Sequence, residues 1–171
     1  MNLFQELEEQ CKIGVRCGST WIITIDGRAG SGKTTLASDL KLHLSARYQV
    51  EILHLDEVYN GWNDALGEHL TITLARVLES IKKKRPVVLQ IYNWQLDIFD
   101  SEKRINSSEV LIIEGVGSGQ RMVRDCAALT IWMEIPAEIG LTRVLERDGD
   151  SISAEMLDWQ AAEDQIGRAH V

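Results

Sequence analysis

The sequence predicts an α/β fold in which a five-stranded parallel sheet carries helices on both faces. Three observations point to it. Apolar, β-branched runs recur at residues 21–26, 50–55, 87–91, 110–113 and 129–135, and such runs suit strands buried on both faces. Between them lie segments whose apolar residues follow a helical period, beginning with Leu36, Leu40 and Leu44, so strand and helix alternate as in βαβ units. The third is the stretch Gly27-Arg28-Ala29-Gly30-Ser31-Gly32-Lys33-Thr34, which meets every specified position of G-x-x-x-x-G-K-[ST]. It stands between the first strand and the first of those helices, the context in which that pattern has meaning.

The chemistry of the loop follows from its residue types. Gly27, Gly30 and Gly32 allow backbone angles that side chains forbid, so successive N–H groups can turn inward as an anion cradle. A helix beginning at Lys33 adds its positive N-terminal end, where a polyphosphate is favoured. Lys33 is placed to reach β- and γ-phosphates, and the Thr34 hydroxyl to complete a Mg²⁺ shell. Arg28, Ala29, Ser31 and Thr35 complete the expected nucleotide-binding set, with ATP and Mg²⁺ as the cofactors. The bland alternative is a glycine-rich turn that matches by chance; the flanking strand and helix weigh against it.

The 171 residues suffice for one domain with a core that needs no metal or disulfide staple. A net charge of −8 argues against a nucleic-acid partner, because phosphate backbones call for a basic surface. Cys11, Cys17 and Cys126 are odd in number and lack metal-type spacing, so they read as reduced thiols. No segment has the apolar length of a membrane span, and Met1–Gln10 carries acids where a signal peptide would carry bases. A cytoplasmic protein acting on a small molecule is expected, with no membrane partner and a homo-oligomer left open.

Residues 1–20 read as a helical extension packed at the sheet edge. The second strand ends in His54-Leu55-Asp56-Glu57-Val58-Tyr59, and acids at a strand's carboxyl end lie where open α/β sheets bind ligands. Asp56 is either a helix cap or solvated carboxylate, or the base that accepts the proton of an attacking hydroxyl, with Glu57 as its rival. Leu66 to Lys84 is an amphipathic helix whose closing Lys82-Lys83-Lys84-Arg85 complements its dipole. After Pro86 comes the third strand, followed by Tyr92-Asn93-Trp94; Trp94 either stacks on a substrate or covers the core edge. Residues 95–109 are expected to be an irregular connection or a short hairpin. The fourth strand ends in Glu114, an acid suited to the far side of a Mg²⁺. The glycines after it miss a dinucleotide fingerprint, because Gln120 stands where its third glycine belongs. A short helix from Gln120 to Cys126 carries Arg121 and Arg124. Beyond the fifth strand, Arg143 and Arg147 share a helix face. They either bridge to nearby acids or clamp transferring phosphates, within a lid-like segment 137–150. A last helix from Ser153 turns Met156, Trp159 and Ile166 to the core.

With these landmarks in order, the chain resembles the P-loop nucleoside kinases, and among them the uridine kinase-like group, over roughly residues 20–165. The resemblance rests on Ile25-Asp26-Gly27, His54-Leu55-Asp56-Glu57-Val58-Tyr59, Ile113-Glu114-Gly115, Arg143-Val144-Leu145-Glu146-Arg147-Asp148-Gly149 and the segment Trp159 to Glu163. It implies a three-layer P-loop NTPase fold and ATP- and Mg²⁺-dependent phosphoryl transfer to a hydroxyl, most readily that of a nucleoside. It makes Asp56 the base, Lys33, Arg143 and Arg147 its catalytic companions, and Thr34 and Glu114 the metal partners. Tyr59 and Tyr92 become candidate substrate contacts; Trp94 and Arg121 join them as candidates from their places in the chain rather than from the resemblance. The departures bear on the acceptor. The uridine kinases carry a histidine shortly after the third-strand tyrosine, where this chain has Asp97, and Asp-Asp or Asp-Ser where it has Asp56-Glu57. They also carry a further strand after the lid, of which Arg168-Ala169-His170-Val171 would be the remnant. Rival readings are a kinase for another small metabolite or a nucleoside monophosphate, and a non-catalytic ATP-binding regulatory protein. No N-K-x-D segment follows the fourth strand, which disfavours a GTP switch.

Overall fold

The computed structural model describes residues 2–169. Helix α1 (Leu3–Ile13) opens with a capping box in which Asn2 and Gln5 each accept the other's backbone N–H. Strand β1 (Trp21–Gly27) runs into the glycine loop and helix α2 (Lys33–Leu44) leaves it. Strand β2 (Val50–His54) ends in a 3₁₀ turn, Leu55–Glu57, before helix α3 (Glu68–Lys82). Then follow β3 (Val87–Asn93), β4 (Ile98–Ile105), β5 (Val110–Glu114), the short α4 (Arg121–Arg124), β6 (Ala127–Met133), α5 (Ala137–Asp148) and α6 (Ser153–Ala169).

The main sheet has four parallel strands in the order β2-β5-β1-β6, not the five that the sequence predicts. The run at 87–91 is a strand, but it pairs antiparallel with β4 in a separate hairpin. The reason lies in its faces: Val87 and Leu89 are buried whereas Val88 is 56% exposed, so one side of β3 meets solvent. An apolar run reads the same for a strand buried on both faces and for one buried on a single face. Its partner β4 is mostly polar and exposed (Asp100, Ser101, Glu102, Arg104), and Asn93 builds the turn by accepting from the N–H groups of Gln95 and Leu96.

Strand alternation divides the core into two layers. Ile22, Leu53, Leu111 and Ile113 meet α3, α5 and α6 through Leu70, Leu74, Val144, Met156 and Trp159. Ile23, Ile25, Ile52 and Ile112 meet α1 and α2 through Cys11, Ala37, Leu40 and Leu44. The strand remnant expected at 168–171 is not formed as far as Ala169, the last residue of α6; His170 and Val171 lie outside the described residues. Among the described residues no helix is long and apolar enough to cross a membrane.

The register fixes where chemistry collects. Ile25 and His54 both pair with Glu114, so β1, β2 and β5 deliver the glycine loop, the Asp56 turn and Glu114 to one sheet edge. That carboxyl edge is where parallel α/β sheets present ligand-binding groups.

Candidate active site

The glycine loop has the strained backbone that its composition promised. Gly27 lies at φ +134°, and a Cβ there would stand 2.2 Å from the Met133 carbonyl oxygen at the end of β6. Gly32, at φ +91°, precedes α2, and no side chain caps that helix end. The first N–H groups of α2 are therefore left for an anion. Lys33 is 8% exposed and donates to the carbonyls of Gly27 (2.9 Å) and Arg28 (2.7 Å). Burial pulls its ammonium below the ordinary lysine value, and the charges of Glu163, Glu114 and Asp26 oppose that pull. The Ser31 hydroxyl is buried with no partner among the described residues. A phosphate oxygen suits such an orphaned donor beside a nest of amides.

Across from the loop, Thr34 Oγ1 donates to Glu114 Oε1 at 3.1 Å, and the same oxygen lies 2.6 Å from His54 Nδ1. His54, Asp56 and Glu114 each offer a ligand atom, all within 4.8 Å of one another. The Glu114 contact pushes the His54 imidazole above its ordinary value, against burial. Partial loss of water around it, then the charge of Glu114, pushes the Asp56 carboxyl up. Solvent reaches Asp56, so screening limits that push. Thr34, Glu114 and Asp56 supply hard oxygens of the kind Mg²⁺ takes, while His54 suits a supporting role behind Glu114.

Of the other predicted residues, Arg143 donates to the Gly30 carbonyl at 3.2 Å, and Gly140 of the same helix packs against Ala29 and Gly30. Helix α5 thus lies directly on the loop. Arg147 pairs with Asp148, and its charge bears on Asp56 and Glu114. Trp94 is 36% exposed and donates through Nε1 to the Asp56 carbonyl at 2.9 Å, tying the β3–β4 hairpin to the Asp56 turn. Tyr92 stacks edgewise on Trp94, and Trp62 meets Trp94 from the other side. Tyr59 does not take up the expected position: it is 4% exposed, and its hydroxyl donates to the Val116 carbonyl. It packs beneath the site because it falls on the core face of the turn, beside Trp159. Arg121 is exposed at the start of α4, and Thr35 is exposed in the first turn of α2.

Sequence reasoning missed four participants. Asp26 is fully buried at the end of β1 and accepts from the N–H groups of Gly27, Gly117 and Gly119, which shapes the loop after Glu114. His54 ends β2, two residues before Asp56 in the 3₁₀ turn, and its ring meets Glu114 across the ladder. Trp62 extends the aromatic wall. Glu163 of α6 accepts from Ala29 N–H in the glycine loop at 2.7 Å.

No family model matches the chain. A cytidylate kinase of Methanococcoides burtonii is 32% identical over 135 residues, covering 79% of this chain and 67% of that protein. A uridine kinase of Lactobacillus johnsonii is 27% identical over 142 residues, covering 74% of this chain and 67% of its own length. A solved structure from Bacillus stearothermophilus, described as a possible uridine kinase, superposes with a TM-score of 0.62 at 19% identity, covering 98% of this chain and 97% of that one. The last likeness concerns the fold alone, but the loop, the sheet that carries it and the first of these relatives agree: the chain belongs to the P-loop nucleoside kinase family.

Proposed function

We propose that this protein transfers the terminal phosphate of ATP, with Mg²⁺, to a hydroxyl of a nucleoside. The observation that carries the reading is the Thr34–Glu114 contact of 3.1 Å, with Asp56 in the same cluster. It sets the end of the phosphate loop against an acid-rich pocket at the sheet edge. In this reading the amides of residues 30–34 and Lys33 hold the phosphates, and Arg143 and Arg147 spread the charge that develops on transfer. Thr34 and Glu114 would hold Mg²⁺, which when bound would neutralise phosphate charge. Asp56 orients the acceptor hydroxyl and takes its proton, helped by a carboxyl pushed above its ordinary value. Trp62, Tyr92 and Trp94 form an edge-to-face aromatic cluster beside the Asp56 turn, in which Trp94 has the exposed ring that a base could meet. Residues 1–171 act as one domain in this account, with 137–150 as its lid.

A nucleoside monophosphate acceptor is the second reading, favoured by the similarity to a cytidylate kinase. Against it, Lys103, which reaches the Asp56 turn, is spent on Glu57 at 3.0 and 2.7 Å. The test is ADP release from ATP and Mg²⁺ with nucleosides in one series and nucleoside monophosphates in the other. Stimulation by nucleosides that collapses in Asp56→Asn supports the first reading, and stimulation by monophosphates alone supports the second. Nucleotide binding without release in either series would leave a regulatory ATP-binding protein.

A further inference from the structure

Helix α6 lays a buried carboxylate against the glycine loop. Glu163 is 5% exposed, and its Oε1 accepts from Ala29 N–H at 2.7 Å and from the Trp159 indole at 2.6 Å. Arg28 stands 3.9 Å from the other carboxylate oxygen and pairs with the adjacent Asp164. The peptide unit that donates to Glu163 also accepts: the Arg28 carbonyl takes Lys33 Nζ at 2.7 Å. No peptide bond here is cis, so the C=O and N–H of the Arg28–Ala29 unit point opposite ways. A carboxylate and an ammonium therefore face each other across one peptide plane.

We propose that Glu163 is a positioning residue for Lys33, acting through the Arg28–Ala29 peptide; this rests on the phosphate-binding reading of the loop. Lysine is a point charge on a flexible stem with three donors. Two of those donors are fixed by the Gly27 and Arg28 carbonyls, which leaves the third for the cradle. Glu163 fixes the plane that makes the second carbonyl face the lysine. A hydrogen bond to one end of a peptide polarises the other end and strengthens the next bond in the chain. The indole of Trp159, one turn earlier on α6, holds the carboxylate in place. Among the charges around Lys33, Glu163 is the foremost in opposing the effect of burial. Without Glu163 the peptide is held only at its carbonyl, by Ser31 N–H at 3.2 Å and by Lys33 itself, so the lysine's anchor loosens without loss of its charge.

The test is calorimetric binding of a non-hydrolysable ATP analogue and of ADP to the full chain. The variants are Glu163→Ala, Glu163→Gln, Lys33→Gln and the double variant Glu163→Ala/Lys33→Gln. Glu163→Ala is expected to lose about tenfold in affinity for the analogue. Glu163→Gln, which keeps an acceptor oxygen, recovers most of that loss. In the Lys33→Gln background Glu163→Ala costs nothing further, the non-additivity of two groups acting as one. Unchanged affinity in Glu163→Ala, or the same loss repeated in the Lys33→Gln background, overturns the proposal. Unfolding midpoints identify a variant that fails to fold, and Glu163→Gln then completes the cycle with Lys33→Gln under the same criterion. A wild-type chain that binds neither nucleotide overturns the phosphate-binding reading and this one with it, whereas additive variants of a binding protein overturn only the role of Glu163.

Discussion

His54 and Glu114 stand side by side across the β2–β5 ladder, with His54 Nδ1 2.6 Å from Glu114 Oε1. The same Glu114 oxygen accepts from Thr34, so the imidazole limits how the carboxylate can swing. If Glu114 holds Mg²⁺, His54 orients a metal ligand without being one. Replacing such a supporting group costs about 10- to 100-fold in metal affinity. His54→Gln should therefore raise the half-saturating Mg²⁺ by about tenfold while leaving turnover at saturating Mg²⁺ within a few-fold of wild type. An unchanged Mg²⁺ titration would remove His54 from this role.

Asp56 gives a sharper result. A positioned general base contributes about 10²- to 10⁴-fold. Asp56→Asn should lower kcat by that order without weakening binding of an ATP analogue in the absence of Mg²⁺, because the bonds of Lys33 and Thr34 run to Gly27, Arg28 and Glu114. Its carbonyl still receives the Trp94 indole in the variant, so the hairpin stays docked. Parallel loss of analogue binding would mean that the substitution disturbs the site as a whole.

Gly27 and Gly32 both adopt left-handed backbone, but they differ in what surrounds them. A Cβ at Gly27 would meet the Met133 carbonyl oxygen at 2.2 Å, whereas at Gly32 the nearest atom is the Met133 methyl at 3.8 Å. Gly32→Ala should cost only the strain of its angles, about 1 kcal/mol. Gly27→Ala must also push β6 away from β1 and should cost at least about 3 kcal/mol, readable as a shifted denaturation midpoint. Equal losses would show that β6 yields freely at Met133.

The difference between what was legible and what was not is one of range. The glycine loop could be read because its chemistry is written in consecutive residues, and β1, β2 and β5 because their runs are dominated by apolar residues buried in the sheet. The hairpin could not, since Val87 to Ile91 shows its exposed side only once β4 is paired to it. The burial of Tyr59 was not legible for a similar reason: the residues after β2 include both a solvent-facing acid and a core-facing aromatic, and spacing in a turn does not separate them. Asp26 and Glu163 were invisible as site residues because their partners are backbone amides, 91 residues away for Gly117 and 134 for Ala29. A backbone amide has no letter in the sequence.

Glu8 gives a prediction that concerns the fold alone. It is 3% exposed and joins α1 to the end of α2, accepting from Arg47 at 2.7 Å and Lys12 at 3.2 Å, with His43 Nε2 at 3.0 Å. Burial pushes its carboxyl up, but the bonds from Lys12 and His43 and the charge of Arg47 outweigh it and hold the group below the ordinary 4.5. A carboxyl depressed on folding contributes stability that is present above its unfolded value and lost as pH falls through the folded one. Wild type should therefore lose stability below pH 4.5 more steeply than Glu8→Gln. At neutral pH, where that stabilisation is fully present, Glu8→Gln should melt about 2–4 °C lower, the shift that about 1 kcal/mol produces in a chain of this size. The two melting curves should converge as pH falls. Curves that stay parallel from neutral pH down to the acid limit would show that folding does not depress the Glu8 carboxyl.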